Sequence, residues 1–195
     1  MRTFLAIRVP LMDLQGKYSD SLQGILDEFY DMGTAVRPVA YNGVHLTLKF
    51  FGDLTVQQIR AASEVVSSVA AVVPGFDFRV RGLGAFPSER RPSVVWVGVT
   101  DGEECASLVE ALEVALGEAG FPLETRPFRP HVTLARVKAR PPERLAGLLS
   151  RFADTDFGCF PVSSIELIAS ELTPNGPLYT TLEEFKLGGD FEQST

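Results

Sequence analysis

His45-Leu46-Thr47-Leu48-Lys49-Phe50-Phe51-Gly52 and His131-Val132-Thr133-Leu134-Ala135-Arg136 open on the same pattern, His-x-Thr-Leu, and they contain both histidines of this 195-residue chain. Each stretch reads as a strand. Successive strand side chains point to opposite faces, so His and Thr share one face while Leu46, Leu48, Val132 and Leu134 back onto a core. Each copy presents an imidazole beside a hydroxyl. Two copies facing one cleft supply an acid, a base and two hydroxyl donors. Opening a cyclic phosphate without a metal calls for that set.

Outward from the motifs, the pattern predicts a regular order of elements. Thr3 to Val9 reads as a strand. Leu14, Tyr18, Leu22, Ile25 and Phe29 recur at helical spacing, which predicts a helix over about 11–31, closed by Gly33. The first motif strand, about 44–51, is broken by Gly52-Asp53. Thr55 then caps a helix striped by Ile59, Ala62, Val66, Val69 and Val73. Strands are predicted over 76–82 and 93–100, with 84–92 between them as a loop because of its Gly and Pro residues, either a lid or a simple connector. Asp101 is read as the cap of a helix running to about Ala119. After the second motif strand, 131–137, come a short helix over about 142–152 and strands over 157–162, 164–170 and 178–187. Residues 188–195 read as a frayed tail behind a single domain spanning 1–187.

Strand, helix, motif strand, helix thus occurs twice, over 3–73 and 93–152. This order points to an internal duplication, in which two half-units related by a pseudo-twofold axis set one His-Thr pair on each wall of a cleft.

Composition restricts the partners. A hydrophobic content of 45% with 22% charged residues is that of a globular chain. No apolar run approaches the roughly 20 residues of a membrane helix. The start of the chain lacks the pattern of a secretory signal. Two cysteines, Cys105 and Cys159, form neither a framework nor a CxxC, so a reduced, cytoplasmic setting is expected. A net charge of −7 argues against a broad basic face along a duplex but allows a small positive pocket. Arg37, Lys49, Arg126, Arg129 and Arg136 lie near the motifs, as pocket residues or as solvated surface charges. A zinc site is a poor fit, since a closed site needs four ligands and no Cys/His cluster exists.

The motif stretches, with Arg126-Pro127-Phe128-Arg129-Pro130 ahead of the second, resemble the two-histidine (2H) phosphoesterase superfamily, and within it the RNA 2′,3′-cyclic phosphodiesterase (2′-5′ RNA ligase-like) group. Arg2-Thr3-Phe4-Leu5-Ala6-Ile7, Ser93-Val94-Val95-Trp96-Val97-Gly98 and Gly176-Pro177-Leu178-Tyr179 add to the likeness, which covers about residues 2–187. Val36-Arg37-Pro38-Val39 departs from it, lacking a Trp after the Arg. The resemblance implies a LigT-like α+β fold: two pseudo-symmetric lobes of antiparallel sheet, with outer helices, around a central cleft. It implies hydrolysis of 2′,3′-cyclic phosphates on RNA ends or nucleotides to 2′-phosphates, with no cofactor and no metal, in a monomer.

It also implies roles. His45 protonates the leaving 3′ oxygen and His131 is the base for water, although pseudo-symmetry permits the reverse. Thr47, Thr133 and Arg136 would bind the phosphate. Strict alternation turns Arg136 away from His131, so only a bend would bring it round; as a rim arginine it would pair with a carboxylate. Phe50 and Phe128 suit core packing better than a wall against a base. The same chemistry includes 2′-5′ ligation as a side reaction. The competing reading is a binding module that holds phosphorylated RNA ends or nucleotides without turnover.

Overall fold

The computed structural model describes residues 1–9, 20–173 and 176–188. Nine strands form one antiparallel sheet: β1 (Arg2–Arg8), β2 (Val36–Pro38), β3 (His45–Asp53), β4 (Phe76–Ser88), β5 (Arg91–Thr100), β6 (His131–Val137), β7 (Asp156–Val162), β8 (Ser164–Thr173) and β9 (Gly176–Lys186). Four α-helices stand among the described residues: α1 (Asp20–Tyr30), α2 (Val56–Ala70), α3 (Glu103–Glu118) and α4 (Glu143–Arg151). The strand order is β7-β4-β5-β6-β3-β1-β8-β9, with β2 also against β6, and the sheet curls into a half-barrel. The expected α+β architecture is present.

The order is symmetric about its centre. β3 and β6 meet through one pair, Leu46 opposite Val132. Outward from that pair stand β1 and β5, then β8 and β4, then β9 and β7. The two half-units therefore join along their motif strands. Between the helices and the sheet lies the main core, which includes Leu46, Leu48, Val132, Leu134, Leu26, Val66, Leu112 and Leu148. Phe4, Ala6 and Ile168, with Tyr179 against them, form a separate small cluster.

Several elements differ from the sequence reading. The 84–92 segment is no loop: β4 and β5 pair from Arg79–Thr100 to Ser88–Arg91, with register shifts at Arg81/Leu83 and Phe86/Pro87, and only Glu89 and Arg90 turn between them. Gly84 lies inside the strand because the Trp96 indole crosses it; a Cβ there would sit 2.4 Å from the ring. Asp101 does not cap α3. Gly102 holds that place without a side-chain bond, while Asp101, at φ 52°, pairs with Arg79. β3 continues through Gly52-Asp53, and Gly33 starts a 3-10 turn rather than ending α1. β2, three residues long, has no counterpart in the sequence pattern.

Thr55 does cap α2, in a reciprocal box with Gln58. Of the predicted first helix, Leu14 and Tyr18 lie outside the described residues, as do 189–195 of the tail. Gly188 is fixed by its N–H to Ala70 O, 2.9 Å.

Candidate active site

His45, Thr47, His131 and Thr133 are half-buried, while Leu46, Leu48, Val132 and Leu134 alternate with them into the core. Antiparallel register about the Leu46–Val132 pair sets His45 against Thr133 and Thr47 against His131. The four side chains thus come together on one face, each histidine facing the other strand's threonine. Neither threonine hydroxyl is engaged by a described residue.

Each ring is held in the same way. Nδ1 of His45 lies 2.7 Å from Gly43 O, and Nδ1 of His131 lies 2.7 Å from Arg129 O. A carbonyl can only accept, so each Nδ1 carries a hydrogen and donates it. In the neutral ring, Nε2 is then the free basic nitrogen in both copies. The backbone two residues upstream fixes the tautomer twice over.

Beyond the threonines, both motif strands bulge at the same place. β3 pairs Thr47 with Ala6 and Lys49 with Leu5, skipping Leu48. β6 pairs Thr133 with Trp96 and Ala135 with Val95, skipping Leu134. A bulge re-aims the side chains that follow it. The succession of half-buried, buried and exposed positions is accordingly identical in the two strands for seven residues. Two buried positions follow in a row, and Phe50 and Arg136 emerge on the face of the histidines. Strict alternation had turned Arg136 away; the bulge returns it. Its charge reaches the Tyr179 hydroxyl, as does that of Arg2, although burial prevails and raises that phenol.

The other expected residues separate. Lys49 is buried away from the cleft, with Nζ 2.6 Å from Glu113 Oε1 and 2.9 Å from Pro122 O. Arg126 pairs with Glu124 in the open. Phe128 packs against the main core, as expected. Phe50 does not: it is 49% exposed, with the Arg2 guanidinium 4.9 Å above its ring.

The residues around the histidines were not singled out as site residues. His45 stacks on Phe4 at 4.9 Å and meets the edge of Tyr179 at 5.2 Å. His131 meets Phe86 at 5.1 Å and Trp96 at 6.4 Å, both edge to face. Phe4, Trp96 and Tyr179 all fall in the stretches that carried the weaker likeness, which was the available signal. Behind His45, Arg8 forms a two-pronged pair with Glu166 at 3.2 and 2.7 Å, and Thr181 donates to the same carboxylate. Burial lowers the His45 pKa below its ordinary 6.5, and the Arg8 charge adds to this; the Gly43 carbonyl and Glu166 oppose both. For Glu166, burial works upward, but the Arg8 and Thr181 bonds and the Arg8 charge outweigh it and hold the carboxyl low. Among the described residues, no group of three or more His, Cys, Asp or Glu could hold a metal, and no helix is long and apolar enough to cross a membrane.

Comparison with known proteins agrees with this geometry. A family profile for the 2′-5′ RNA ligase superfamily matches residues 34–173. An RNA 2′,3′-cyclic phosphodiesterase of Methanothermobacter thermautotrophicus is 36% identical over 188 residues, covering 96% of this chain and 99% of that protein. One from Aeropyrum pernix is 39% identical over 168 residues, covering 85% and 94%. Among solved structures, TT0787 of Thermus thermophilus superposes with a TM-score of 0.79 at 30% identity, covering 97% of this chain and 100% of that one. E. coli LigT complexed with 3′-AMP gives 0.70 at 25%, covering 96% and 98%. The chain belongs to the 2′-5′ RNA ligase superfamily, a family of two-histidine phosphoesterases.

Proposed function

We infer that this protein is an RNA 2′,3′-cyclic phosphodiesterase, which hydrolyses a terminal 2′,3′-cyclic phosphate to a 2′-phosphate. The observation that carries this is the pair of histidines, each with Nδ1 committed to a backbone carbonyl, on opposite sides of the Leu46–Val132 pair. Placement on two sides of phosphorus suits in-line displacement. Water loses a proton to Nε2 of His131 as it attacks, and Nε2 of protonated His45 gives one to the departing 3′ oxygen. The P–O3′ bond breaks as the bond from water forms. The lowered His45 pKa makes its imidazolium a readier donor, at the cost of a smaller protonated fraction near neutral pH.

Thr47 and Thr133 donate to the phosphoryl oxygens, and Arg136 holds the charge that gathers there. Phe50 under Arg2 offers an open ring for a base. The chemistry needs no cofactor and no metal. With a 5′ hydroxyl in the place of water, the same attack forms the O5′–P bond as P–O3′ breaks and leaves a 2′-5′ bond, as a side activity. Both motif strands come from one chain, which supports a monomer whose residues 1–187 act as one bilobal domain. Cys105 and Cys159 are free, in keeping with a cytoplasmic setting.

The test is turnover of nucleoside 2′,3′-cyclic phosphates and of a short RNA ending in one, in EDTA, with the product's regiochemistry determined. A 2′-phosphate is expected. A 3′-phosphate product, or turnover that disappears with the chelator, would overturn the reading.

A further inference from the structure

We propose that Arg37, opposite Arg136 and with Lys138 beyond it on the same face, forms a second anion subsite that takes the phosphate on the 5′ side of the reacting nucleoside. This rests on the hydrolase reading above, and it adds a residue and a substrate feature that the reaction itself does not require.

β2 pairs only with β6, and Arg37 stands directly opposite Arg136. Directly opposed residues of antiparallel strands project to the same face, and like charges in that position work against the pairing. Both arginines are exposed. The placement is nevertheless rigid, because backbone bonds clamp β2 at both ends: Lys138 N to Ala35 O and Val39 N to Leu134 O, both 2.8 Å. Lys138 follows Arg136 by two residues, one step past the strand end, and continues the row.

The charge on this row is not neutralised from within. Among the described residues, Arg8, Arg79, Arg126 and Arg151 each have a carboxylate partner. None stands within ion-pair distance of Arg37, Arg136 or Lys138. Among the described residues several other surface cations also lack an ion pair; what sets these three apart is that the register of β2 and β6 puts them in one row. Two residues of strand advance by roughly 6.8 Å, of the order of the step between phosphates in an extended strand. From Thr133 and Arg136 at the reacting phosphate, Arg37 across the ladder and Lys138 beyond it therefore lead outward. A guanidinium fork matches two phosphate oxygens. The ligand chemistry is a second phosphate, borne either as an internucleotide diester in RNA or as the 5′-phosphate of a free nucleotide.

The experiment compares kcat/KM for a nucleoside 2′,3′-cyclic phosphate, the same compound with a 5′-phosphate, and a short RNA with a cyclic end. Arg37→Gln is expected to lose about tenfold more on a substrate with a second phosphate than on the bare nucleoside. Arg37→Lys, which keeps the charge and the stem, should recover part of that preference and also serves if the Gln variant folds poorly. Selective loss on RNA alone assigns the subsite to the internucleotide diester, and loss on both assigns it to any 5′-phosphate. The slope of log affinity against log salt for the RNA should fall by about 0.7. Equal losses on all three substrates, or no loss, would overturn the proposal. Should the wild type turn over none of them, the hydrolase reading fails instead. The subsite is then decided by the Kd of a nucleoside 2′-phosphate with and without its 5′-phosphate.

Discussion

The His45 strand and the His131 strand share sequence pattern, tautomer lock and bulge, yet they are built into different surroundings. Across the ladder from His45 stands Arg8, and across from His131 stands Gly98. Opposite Thr47 is Ala6, and opposite Thr133 is Trp96. After the bulge one strand offers Phe50 and the other Arg136. One framework thus carries an aromatic ring after one motif and a cation after the other, and it sets different neighbours across the ladder from each histidine. A reaction that attacks phosphorus from one side and releases an oxygen on the other needs such an inequality. The geometry is symmetric because the backbone repeats, and the roles diverge because the neighbours do not.

The largest effect should come from removing either imidazole: His45→Ala or His131→Ala is expected to cost about 10³-fold or more in kcat, measured with a cyclic nucleotide. Full activity in either variant would break the comparison at its root. Next, Arg136→Ala should lower kcat by about 10²-fold, because it removes charge stabilisation in the transition state. Phe50→Ala at the matching position should instead raise KM by about tenfold, because it removes a stacking surface. If both variants acted on the same parameter, the two walls would not divide the work. Single Thr47→Ala and Thr133→Ala changes should each cost about tenfold, close to equally, as one hydrogen bond to a charged oxygen.

The smallest effect, and the sharpest, lies in the pH profile. Glu166→Gln leaves Arg8 as an unopposed cation behind His45. It removes an influence that raises the His45 pKa, so the limb governed by His45 should move to lower pH. Arg8→Ala removes an influence that lowers this pKa and frees Glu166, so the limb should move to higher pH. Shifts in the same direction, or none, would disconnect this ion pair from the chemistry.

Much of this was legible in the chain. The motif strands were readable because their period of two is strong and occurs twice, and His131–Val137 was placed to the residue. Arg136 was harder. A bulge is a property of pairing, and nothing in Leu134-Ala135 announces it until the partner strand is known. The 84–92 segment misled because Gly and Pro usually break strands, whereas here Gly84 makes room for the indole of Trp96. β2 is only three residues long, too short for any periodicity, so its pairing of Arg37 with Arg136 could not be foreseen. Phe50 looked like core because hydrophobicity alone does not say which side of a bulged strand a ring will leave from.

The carbonyls of Gly43 and Arg129 have a consequence for how this site can change over time. They hold the protonation pattern of both rings, yet a carbonyl belongs to the chain trace and not to any side chain. Ordinary substitution at position 129 would leave the His131 tautomer untouched. At position 43 the limit is only space, since a Cβ would come within 3.2 Å of Tyr179. The acid–base machinery is thereby shielded from most of the mutational drift around it, and the walls of the cleft are free to diverge toward new substrates while the chemistry they enclose is passed on intact.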